Sequence, residues 1–411
     1  MMIKSKAGPA GSAFFSLLIL FLCLSLPCGA GNRIRVAFVG DPQVDNETEL
    51  DYARRSIFRE LRERRDLDLV VILGDLVNEN ASLMRPCVES LDSLSCPWVC
   101  VRGNHDNPAE DFASIVCPTD TAFVLGGVRF ICIDDIGGWN GEIPEDGYNV
   151  VCAHIPFSYG APADSIEARI GDRKRLLMVF GHTHQVHRHR IGGVEELIAG
   201  AACGSWWRGV KDTDGIPYAL MNCGAPRGYF TADFRPGREQ WYTLSYNAVG
   251  RCDVASAYRD STGIRINVFG GAEDGRVALR YRGSRGWIEA SRVEEIAPEV
   301  QEVIDWNLSH DRAYRKAHKD EFIPMRRLKS PHLWAVPARL EDSGGSLTAN
   351  GAADSGISTP QSAAGSNPDS AHSGGSARWH VLPRPGTSVA VRYSDPAMSF
   401  RQKLVLQPGN K

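Results

Sequence analysis

Five short polar motifs, each following an apolar run, hold most of the residues in this sequence that could do chemistry. The motifs are GDPQ (40–43), GDLVN (74–78), GNHD (103–106), AHIP (153–156) and GHTH (181–184). Their carboxylates, amides and imidazoles are side chains that bind divalent metal ions. Each motif alone could be a helix cap, a tight turn or a buried histidine. Because five such motifs occur in one chain, a shared site is the better explanation.

The apolar runs before the motifs predict the strands that would position them. These runs are Ile34–Val39, Leu69–Leu73, Trp98–Val101, Asn149–Ala153 and Leu176–Phe180. Between them, residues 49–65 and 83–94 have apolar side chains at helical spacing, and Gly126-Gly127 predicts a hairpin. Alternating strands and helices indicate a layered α/β fold, in which ligands bind beyond the carboxyl ends of the strands.

The residue types at the strand ends suit a site for two divalent metals. Ions ~4 Å apart share a bridging carboxylate and take imidazole, carboxylate and amide ligands at their other positions. Such a pair clamps a phosphate group and lowers the pKa of a bridging water. His182 and His184 are two residues apart, so they can project from one side of an extended segment toward neighbouring ions.

The ordered motifs D-x-Q, G-D-x-x-N, G-N-H-D, H-x-P and G-H-T-H resemble those of the calcineurin-like metallophosphoesterase superfamily over about residues 33–190. This resemblance implies a four-layer α/β/β/α sandwich that hydrolyses phosphate mono- or diesters with two divalent ions (Mn, Fe, Zn or Mg). It implies that one ion is held by Asp41, Gln43 and His184. It implies that the other is held by Asn104, His154 and His182, with Asp75 as the bridge.

The resemblance also gives His105 a role at the leaving-group oxygen, as general acid or charge stabiliser, held by Asp106. Asn78 is expected to order the loop of Asp75. Gln43 departs from the commonest superfamily pattern, which has histidine there. An amide oxygen is a harder and weaker ligand than imidazole, so we expect a looser first metal and a preference for manganese or magnesium.

Later segments resemble an exported bacterial branch of this superfamily that carries a β-rich C-terminal domain. These segments are GSWWRG (204–209), DGIPYALMNCGAPRGY (214–229) and SPHLWAVP (330–337). Trp206, Trp207 and Tyr229 are candidates for lining the substrate pocket, with ordinary packing between domains as the alternative. His187 and His189 follow a complete ligand set, and we interpret them as surface residues.

The N-terminal residues predict a signal peptide. The uncharged apolar run 13–26 is too short to span a membrane, and the small residues at Cys28 and Ala30 indicate cleavage after Ala30. We therefore expect an exported protein (periplasmic, cell-surface or secreted) with no transmembrane span in the mature chain; a lipid anchor at Cys28 is the alternative. The full chain has a net charge of −3 and no long basic run, which favours a small phosphorylated substrate over long nucleic acid.

These patterns divide the chain into a signal segment (1–30), an α/β catalytic domain (31–236) and a β-rich C-terminal domain (237–411). The C-terminal domain is predicted from alternating runs such as RINVFG (265–270) and SVAVRYSD (388–395). A Gly/Ser-rich stretch at about 342–377 predicts a disordered insertion within it. No cysteine pair has metal-site CxxC spacing, and cysteines inside strand-like runs are expected to be buried.

Two classes of function are compatible with these residues. The first is an exported hydrolase of phosphate esters that uses a metal-bridged water, with His105 assisting the leaving group. The second is a non-catalytic metal-binding or interaction module that retains the fold. The intact GNHD histidine and the complete ligand set favour the hydrolase.

Overall fold

The computed structural model describes residues 33–134, 142–284, 286–338 and 384–409. The predicted signal segment, with Cys28, and the predicted insertion at about 342–377 lie outside these residues.

The described residues form three sheets flanked by short helices. The first eleven strands are β1 (Ile34–Val39), β2 (Leu69–Ile72), β3 (Trp98–Cys100), β4 (Thr121–Leu125), β5 (Val128–Cys132), β6 (Tyr148–Cys152), β7 (Leu176–Phe180), β8 (Val186–Ile191), β9 (Val194–Ala199), β10 (Gly228–Phe234) and β11 (Tyr242–Ala248). The next eight are β12 (Ala255–Arg259), β13 (Gly263–Val268), β14 (Arg276–Tyr281), β15 (Ile288–Arg292), β16 (Leu333–Pro337), β17 (Ser388–Ser394), β18 (Ser399–Val405) and β19 (Gln407–Pro408). The helices are α1 (Glu47–Arg55), α2 (Ile57–Glu63), α3 (Met84–Asp92), α4 (Ala109–Ile115), α5 (Ala163–Ile170), α6 (Pro298–Ser309) and α7 (Arg312–Ala317), with 3₁₀ turns at Ala81–Leu83 and Lys319–Glu321.

Two sheets pack face to face in the α/β region. The first has the order β11-β10-β1-β2-β3 and the second β4-β5-β6-β7-β9-β8. Strands β1, β2 and β3 are parallel to one another in the first sheet, and β5, β6, β7 and β9 are parallel in the second. The antiparallel strands are β10 and β11, at one side of the first sheet, and β4 and β8, at the two edges of the second. Central parallel strands have no solvent-exposed face, which explains the nearly continuous apolar sequences of β2 (LVVI) and β7 (LLMVF).

Strand β6 shows how the layers are stacked. Val150 and Cys152 belong to the main core, which contains buried residues of the first sheet and of α1 to α4. Val151 and Ala153 face the other way, into a core shared with Ile166 of α5. Helices therefore cover the outer faces of two packed sheets, which confirms the predicted four-layer α/β/β/α architecture.

The C-terminal residues confirm the predicted β-rich region. An eight-stranded sheet has the order β18-β17-β14-β15-β16-β13-β12-β19 and its own apolar core. The predicted boundary at residue 236 falls between β10 and β11, and these two strands pair along their whole length. The first sheet thus continues to Ala248, beyond the predicted end of the catalytic domain.

Cys100, Cys132 and Cys152 are buried and unpaired, as expected from their positions in strands. Within the described ranges, no helix is both long and apolar enough for a membrane crossing.

Candidate metal centre

The five motifs meet where the two sheets end. Strands β1, β2 and β3 of the first sheet lead into GDPQ, GDLVN and GNHD, and β6 and β7 of the second lead into AHIP and GHTH. Parallel strands present their carboxyl ends at one edge, so two facing sheets bring all five motifs together.

Several predicted ligands have a strained backbone. Asp41, Gln43, Asp75, His182 and His184 all have positive φ, between 41° and 71°. This conformation costs a non-glycine residue about 1–3 kcal/mol, and such residues cluster at functional sites. The strained backbone directs these side chains toward the gap between the two sheets and lowers the local stability of the loops.

The glycines that open three motifs leave room for the ligands. A Cβ atom on Gly74 would lie 2.5 Å from His154 Nδ1, and one on Gly103 would lie 2.2 Å from Asp75 Oδ1. A Cβ on Gly181 would lie 2.7 Å from Asp41 Oδ2. Each glycine therefore permits a ligand from another motif to approach its backbone.

Asp41, Asp75 and His154 form the centre of the group. Among the described residues, they are the set of histidine, cysteine and acidic side chains whose ligand atoms all lie within 4.8 Å. His154 Nδ1 donates to Leu73 O (2.8 Å), which directs Nε2 toward Asp75 Oδ2 at 3.2 Å. A histidine fixed in this way presents a defined nitrogen to a metal.

Asn104 and His182 complete one side of the centre. Asn104 Oδ1 lies 3.0 Å from both His154 Nε2 and His182 Nδ1, and the two nitrogens are 3.2 Å apart. Three groups that can each offer a lone pair converge here beside Asp75. Such a donor set fits a divalent cation, which one carboxylate, one amide oxygen and two imidazoles would surround.

His184 and Asp41 form the other side. His184 Nδ1 donates to Ser205 O (3.1 Å), and its Nε2 is 3.6 Å from Asp41 Oδ1. The backbone N–H of His182 donates to both Asp41 oxygens at 3.1 Å. Gln43 lies in the group with its Nε2 toward Asp75 Oδ2 (3.4 Å) and its Oε1 toward Cys203 Sγ (4.0 Å). A half-turn of this amide would bring the oxygen, the predicted ligand atom, toward Asp75.

The pKa values of the buried groups indicate that positive charge would stabilise the centre. Burial, with a contribution from Asp75, raises the pKa of Asp41 well above its ordinary value. Burial lowers the pKa of His154, but Asp75 and Asp41 outweigh it and raise that pKa to about 9. Burial lowers the pKa of His182 to about 4 and also lowers that of His184, so both rings are neutral and can act as ligands. A cation between the aspartates would therefore replace the proton on His154.

The structure corrects the predicted pairing of His105 with Asp106. Asp106 is fully buried and accepts the backbone N–H groups of Val77 (3.0 Å) and Gly103 (2.9 Å). It joins the second and third motifs and does not touch the His105 ring. His105 Nδ1 instead lies 2.9 Å from Glu79 Oε1, and the His105 side chain is 32% exposed. Sequence reasoning missed Glu79, although it directly follows the GDLVN motif.

Only one of the three predicted aromatic pocket residues lies against the ligands. The Trp206 ring is 5.7 Å from the His184 ring. Trp207 is buried, and its Nε1 donates to Pro42 O (2.8 Å), so it supports the GDPQ loop from behind. Tyr229 is buried with its hydroxyl donating to Glu60 Oε1 (2.9 Å) of α2, which makes it a packing residue between sheet and helix. The sequence analysis missed Tyr159, whose ring is 4.8 Å from that of His182.

Two facing sheets whose parallel strands end at one buried cluster of aspartate, asparagine and histidine define the α/β phosphoesterase class. The family model for calcineurin-like phosphoesterase matches residues 34–186. A second model, the C terminal of calcineurin-like phosphoesterase, matches residues 196–345. The chain therefore contains a calcineurin-like phosphoesterase domain, from a family that normally binds divalent metals.

Solved structures that align with this chain come from diverse organisms. GAP50, the anchor in the inner membrane complex of Plasmodium, is 12% identical, with a TM-score of 0.37 over 53% of this chain and 84% of that one. A predicted phosphoesterase from Streptococcus pneumoniae is 11% identical, with a TM-score of 0.30 over 63% and 98% of the two chains. An archaeal phosphodiesterase is 15% identical, with a TM-score of 0.30 over 52% and 100%. No curated protein matches the sequence.

Proposed function

We propose that this protein is an exported phosphoesterase that hydrolyses small phosphate mono- or diesters at a centre of two divalent metals. The observation that carries the proposal is the convergence of carboxylate, amide and imidazole donors from five strand ends. Manganese or magnesium is the preferred pair because Gln43 adds an amide oxygen to the donor set. The predicted signal segment supports export, and the absence of a long basic run in the sequence supports a small substrate.

Asp75 is the proposed bridging ligand. Its Oδ2 lies 3.2 Å from His154 Nε2 and 3.4 Å from Gln43 Nε2, which belong to the two proposed ligand sets. Its Oδ1 accepts the backbone N–H of His105 at 2.8 Å, which holds the carboxylate in place. Asp41, Gln43 and His184 would hold one ion, and Asn104, His154 and His182 the other. A bound pair would supply positive charge to the phosphate and a water of lowered pKa.

His105 is the proposed group at the leaving oxygen. Its Nδ1 contacts Glu79, and the side chain is one-third exposed, which would allow Nε2 to reach a substrate. The Glu79 carboxylate fixes the orientation of the ring through Nδ1, and a proton on Nε2 would be donated to the departing oxygen. Glu79 therefore takes the orienting role that the sequence analysis gave to Asp106.

The proposed substrate-contacting aromatics are Trp206 and Tyr159. They contact His184 and His182 respectively, and Tyr159 is 62% exposed. Rings at the rim of a phosphate site can stack on an apolar or aromatic group of an ester. This arrangement supports an organic phosphate ester as the substrate.

The test combines metal analysis with hydrolysis assays on the full chain. Asp75→Asn should lose both ions and more than about 100-fold in activity with manganese on p-nitrophenyl phosphate and bis-p-nitrophenyl phosphate, because one carboxylate serves both ions. Asp146→Asn is the matched control, since its side chain is 86% exposed. Full metal retention by Asp75→Asn would contradict the bridging role. Wild-type protein that binds two ions yet hydrolyses no ester would favour the non-catalytic module.

A further inference from the structure

A second cluster of potential metal ligands lies on the hairpin of β8 and β9. His187 and His189, interpreted from the sequence as surface residues, have side chains that are only 31% and 15% exposed. Their rings stack with centroids 4.4 Å apart. Neither residue belongs to the proposed phosphoesterase site. The two rings are therefore partly buried and in contact with each other, unlike freely solvated surface histidines.

The strand register places these histidines with carboxylates. Residues two apart on a strand share a face, and His189 lies directly opposite Glu196 in the antiparallel pair. His189 Nε2 is 3.4 Å from Glu196 Oε1. Glu273, in the turn after β13, approaches from the C-terminal region and lies 2.8 Å from His187 Nε2 through its Oε1. Two imidazole–carboxylate pairs thus lie side by side, joined by the stacked rings of His187 and His189.

The groups around the cluster leave it short of positive charge. Arg188 points to the opposite face, where it pairs with Glu195 and Asp395. Arg292 contacts Glu273 Oε1 at 3.1 Å, whereas the fully buried Glu196 accepts from the hydroxyl and the backbone N–H of Ser158.

The His189 ring is the member of the cluster whose polar atoms are not all satisfied. Its Nδ1 is buried and has no hydrogen-bond partner in the described residues. A buried imidazole nitrogen without a partner, on a ring that contacts a buried carboxylate, is an environment that a divalent cation would stabilise.

We propose that His187, His189, Glu196 and Glu273 bind one divalent transition-metal ion of the zinc type. Two imidazoles and two carboxylates form a four-ligand set that zinc accepts. The ligand atoms stand as two pairs rather than as one tight group, so the ion would draw the pairs together by side-chain rotation. A cavity of about 230 Å³, which Arg190, Glu195 and Asp274 also line, gives the side chains of His189 and Glu273 room to move.

The proposed ion would be structural. Glu273 lies between β13 and β14 of the C-terminal sheet, whereas the other three ligands lie on the hairpin that directly follows GHTH. A bound ion would therefore fasten the catalytic region to the C-terminal sheet without taking part in ester hydrolysis. The proposal is independent of the dinuclear centre, because it shares no ligand with it.

The experiment counts zinc ions on the full chain by native mass spectrometry and follows thermal unfolding with and without zinc. In an Asp75→Asn background, we expect one zinc per chain, and adding His187→Gln with His189→Gln should remove it. Loss of these ligands should weaken zinc binding at least about tenfold. His310→Gln with His318→Gln is the matched control, since it removes two histidines elsewhere and should leave the count unchanged.

The wild-type chain provides the second measurement if the Asp75 background folds poorly. There, His187→Gln with His189→Gln should lower the zinc count by one and abolish the zinc-dependent rise in melting temperature, with ester hydrolysis retained. An equal zinc count in the wild type and this double variant would overturn the proposal. Weak, unsaturable zinc binding to the wild type would overturn it as well. Failure of the dinuclear centre alone would appear as lost hydrolysis with the hairpin zinc intact.

Discussion

At the scale of single residues, the contact between His105 and Glu79 identifies the side chain that would orient the proposed leaving-group acid. Asp106 follows His105 in sequence, yet its two oxygens are taken by the backbone N–H groups of Val77 and Gly103. Glu79 reaches the ring from the loop after β2. The proposed orienting carboxylate therefore directly follows the GDLVN motif, and its contact with His105 joins the two loops that carry Asp75 and Asn104.

This contact predicts how substitutions affect catalysis. His105→Ala should lower kcat by ~10²–10⁴-fold, because a positioned acid is worth about that much. Glu79→Gln should lower kcat about tenfold, since it removes the carboxylate that orients the His105 ring. Both losses should be smaller for p-nitrophenyl phosphate than for phenyl phosphate, because p-nitrophenolate needs little protonation. The measurement is kcat for the two esters, with metal content checked in each variant.

Glu89→Gln, on the exposed face of α3, is the control for Glu79→Gln and should behave as wild type. Metal loss in His105→Ala would show that His105 is a ligand instead. An equal loss for both esters would point to a role in phosphate binding.

The residues that sequence reasoning could place are those whose position follows from strand polarity. Asp41, Asp75 and His154 each come just after a strand, so parallel strands bring them to one edge whatever the details of packing. The contacts of Glu79, Trp207 and Tyr229 depend on the direction in which each side chain points, either in a loop or on one face of a strand. The sequence pattern does not set that direction when both faces are buried, so these assignments required the structure.

At the scale of elements, helix α6 is held on the C-terminal sheet through a buried carboxyl group. Glu299 accepts hydrogen bonds from Ser256 of β12 and from Asn267 Nδ2 of β13 (3.3 Å). Asn267 Oδ1 in turn accepts from His332 Nδ1 at 2.6 Å. Burial raises the pKa of Glu299 to about 7. The folded state therefore favours the protonated form of Glu299.

This raised pKa predicts a stability difference that depends on pH. The folded pKa lies above the ordinary value of 4.5, so the stabilising contribution is complete below pH 4.5 and is lost as pH rises through about 7. Glu299→Gln, which mimics the neutral acid, should gain up to about 3 kcal/mol relative to wild type between pH 4.5 and pH 8. The measurement is the free energy of unfolding by urea at both pH values.

Glu63→Gln, at the exposed end of α2, is the control and should follow the wild type at both pH values. A difference between Glu299→Gln and wild type that does not change with pH would mean that Glu299 is ionised in the fold.

The element pattern also shows what sequence periodicity can and cannot predict. Strands β1, β2 and β7 are predicted because their largely apolar runs are each followed by a glycine. The membership of β11 in the first sheet was not predicted, since Tyr242–Ala248 alternates buried and less buried residues just as the C-terminal strands do. Strand β11 joins the first sheet because it pairs with β10, and the alternation of its residues does not predict this pairing.

At the scale of the whole molecule, a buried ion pair joins the α/β region to the C-terminal sheet. Arg188 of β8 donates to Asp395 Oδ2 (2.8 Å), between β17 and β18, and also pairs with Glu195. Both Arg188 and Asp395 have side chains that are at most 1% exposed. Because the strand that carries Arg188 begins two residues after His184, this contact supports the region around the metal centre.

Removing one partner of this pair should destabilise the fold. Asp395→Ala should lower the free energy of unfolding by about 3–5 kcal/mol, because it leaves the Arg188 charge buried beside a single carboxylate. Asp274→Ala breaks the half-exposed pair with Arg190 (3.4 Å) and should cost less than about 1 kcal/mol. Urea unfolding at neutral pH measures both, and equal effects would mean that the buried pair does not carry this link.

The origin of the ligands in two different sheets has a kinetic consequence. Asp41, Asp75 and Asn104 follow strands of one sheet, while His154, His182 and His184 follow strands of the other, so the full donor set exists only once the sheets have docked. An ion that binds only this docked arrangement stabilises the native state and not an earlier transition state. Loading the centre would therefore lengthen the lifetime of the folded chain while leaving the rate at which it folds nearly unchanged.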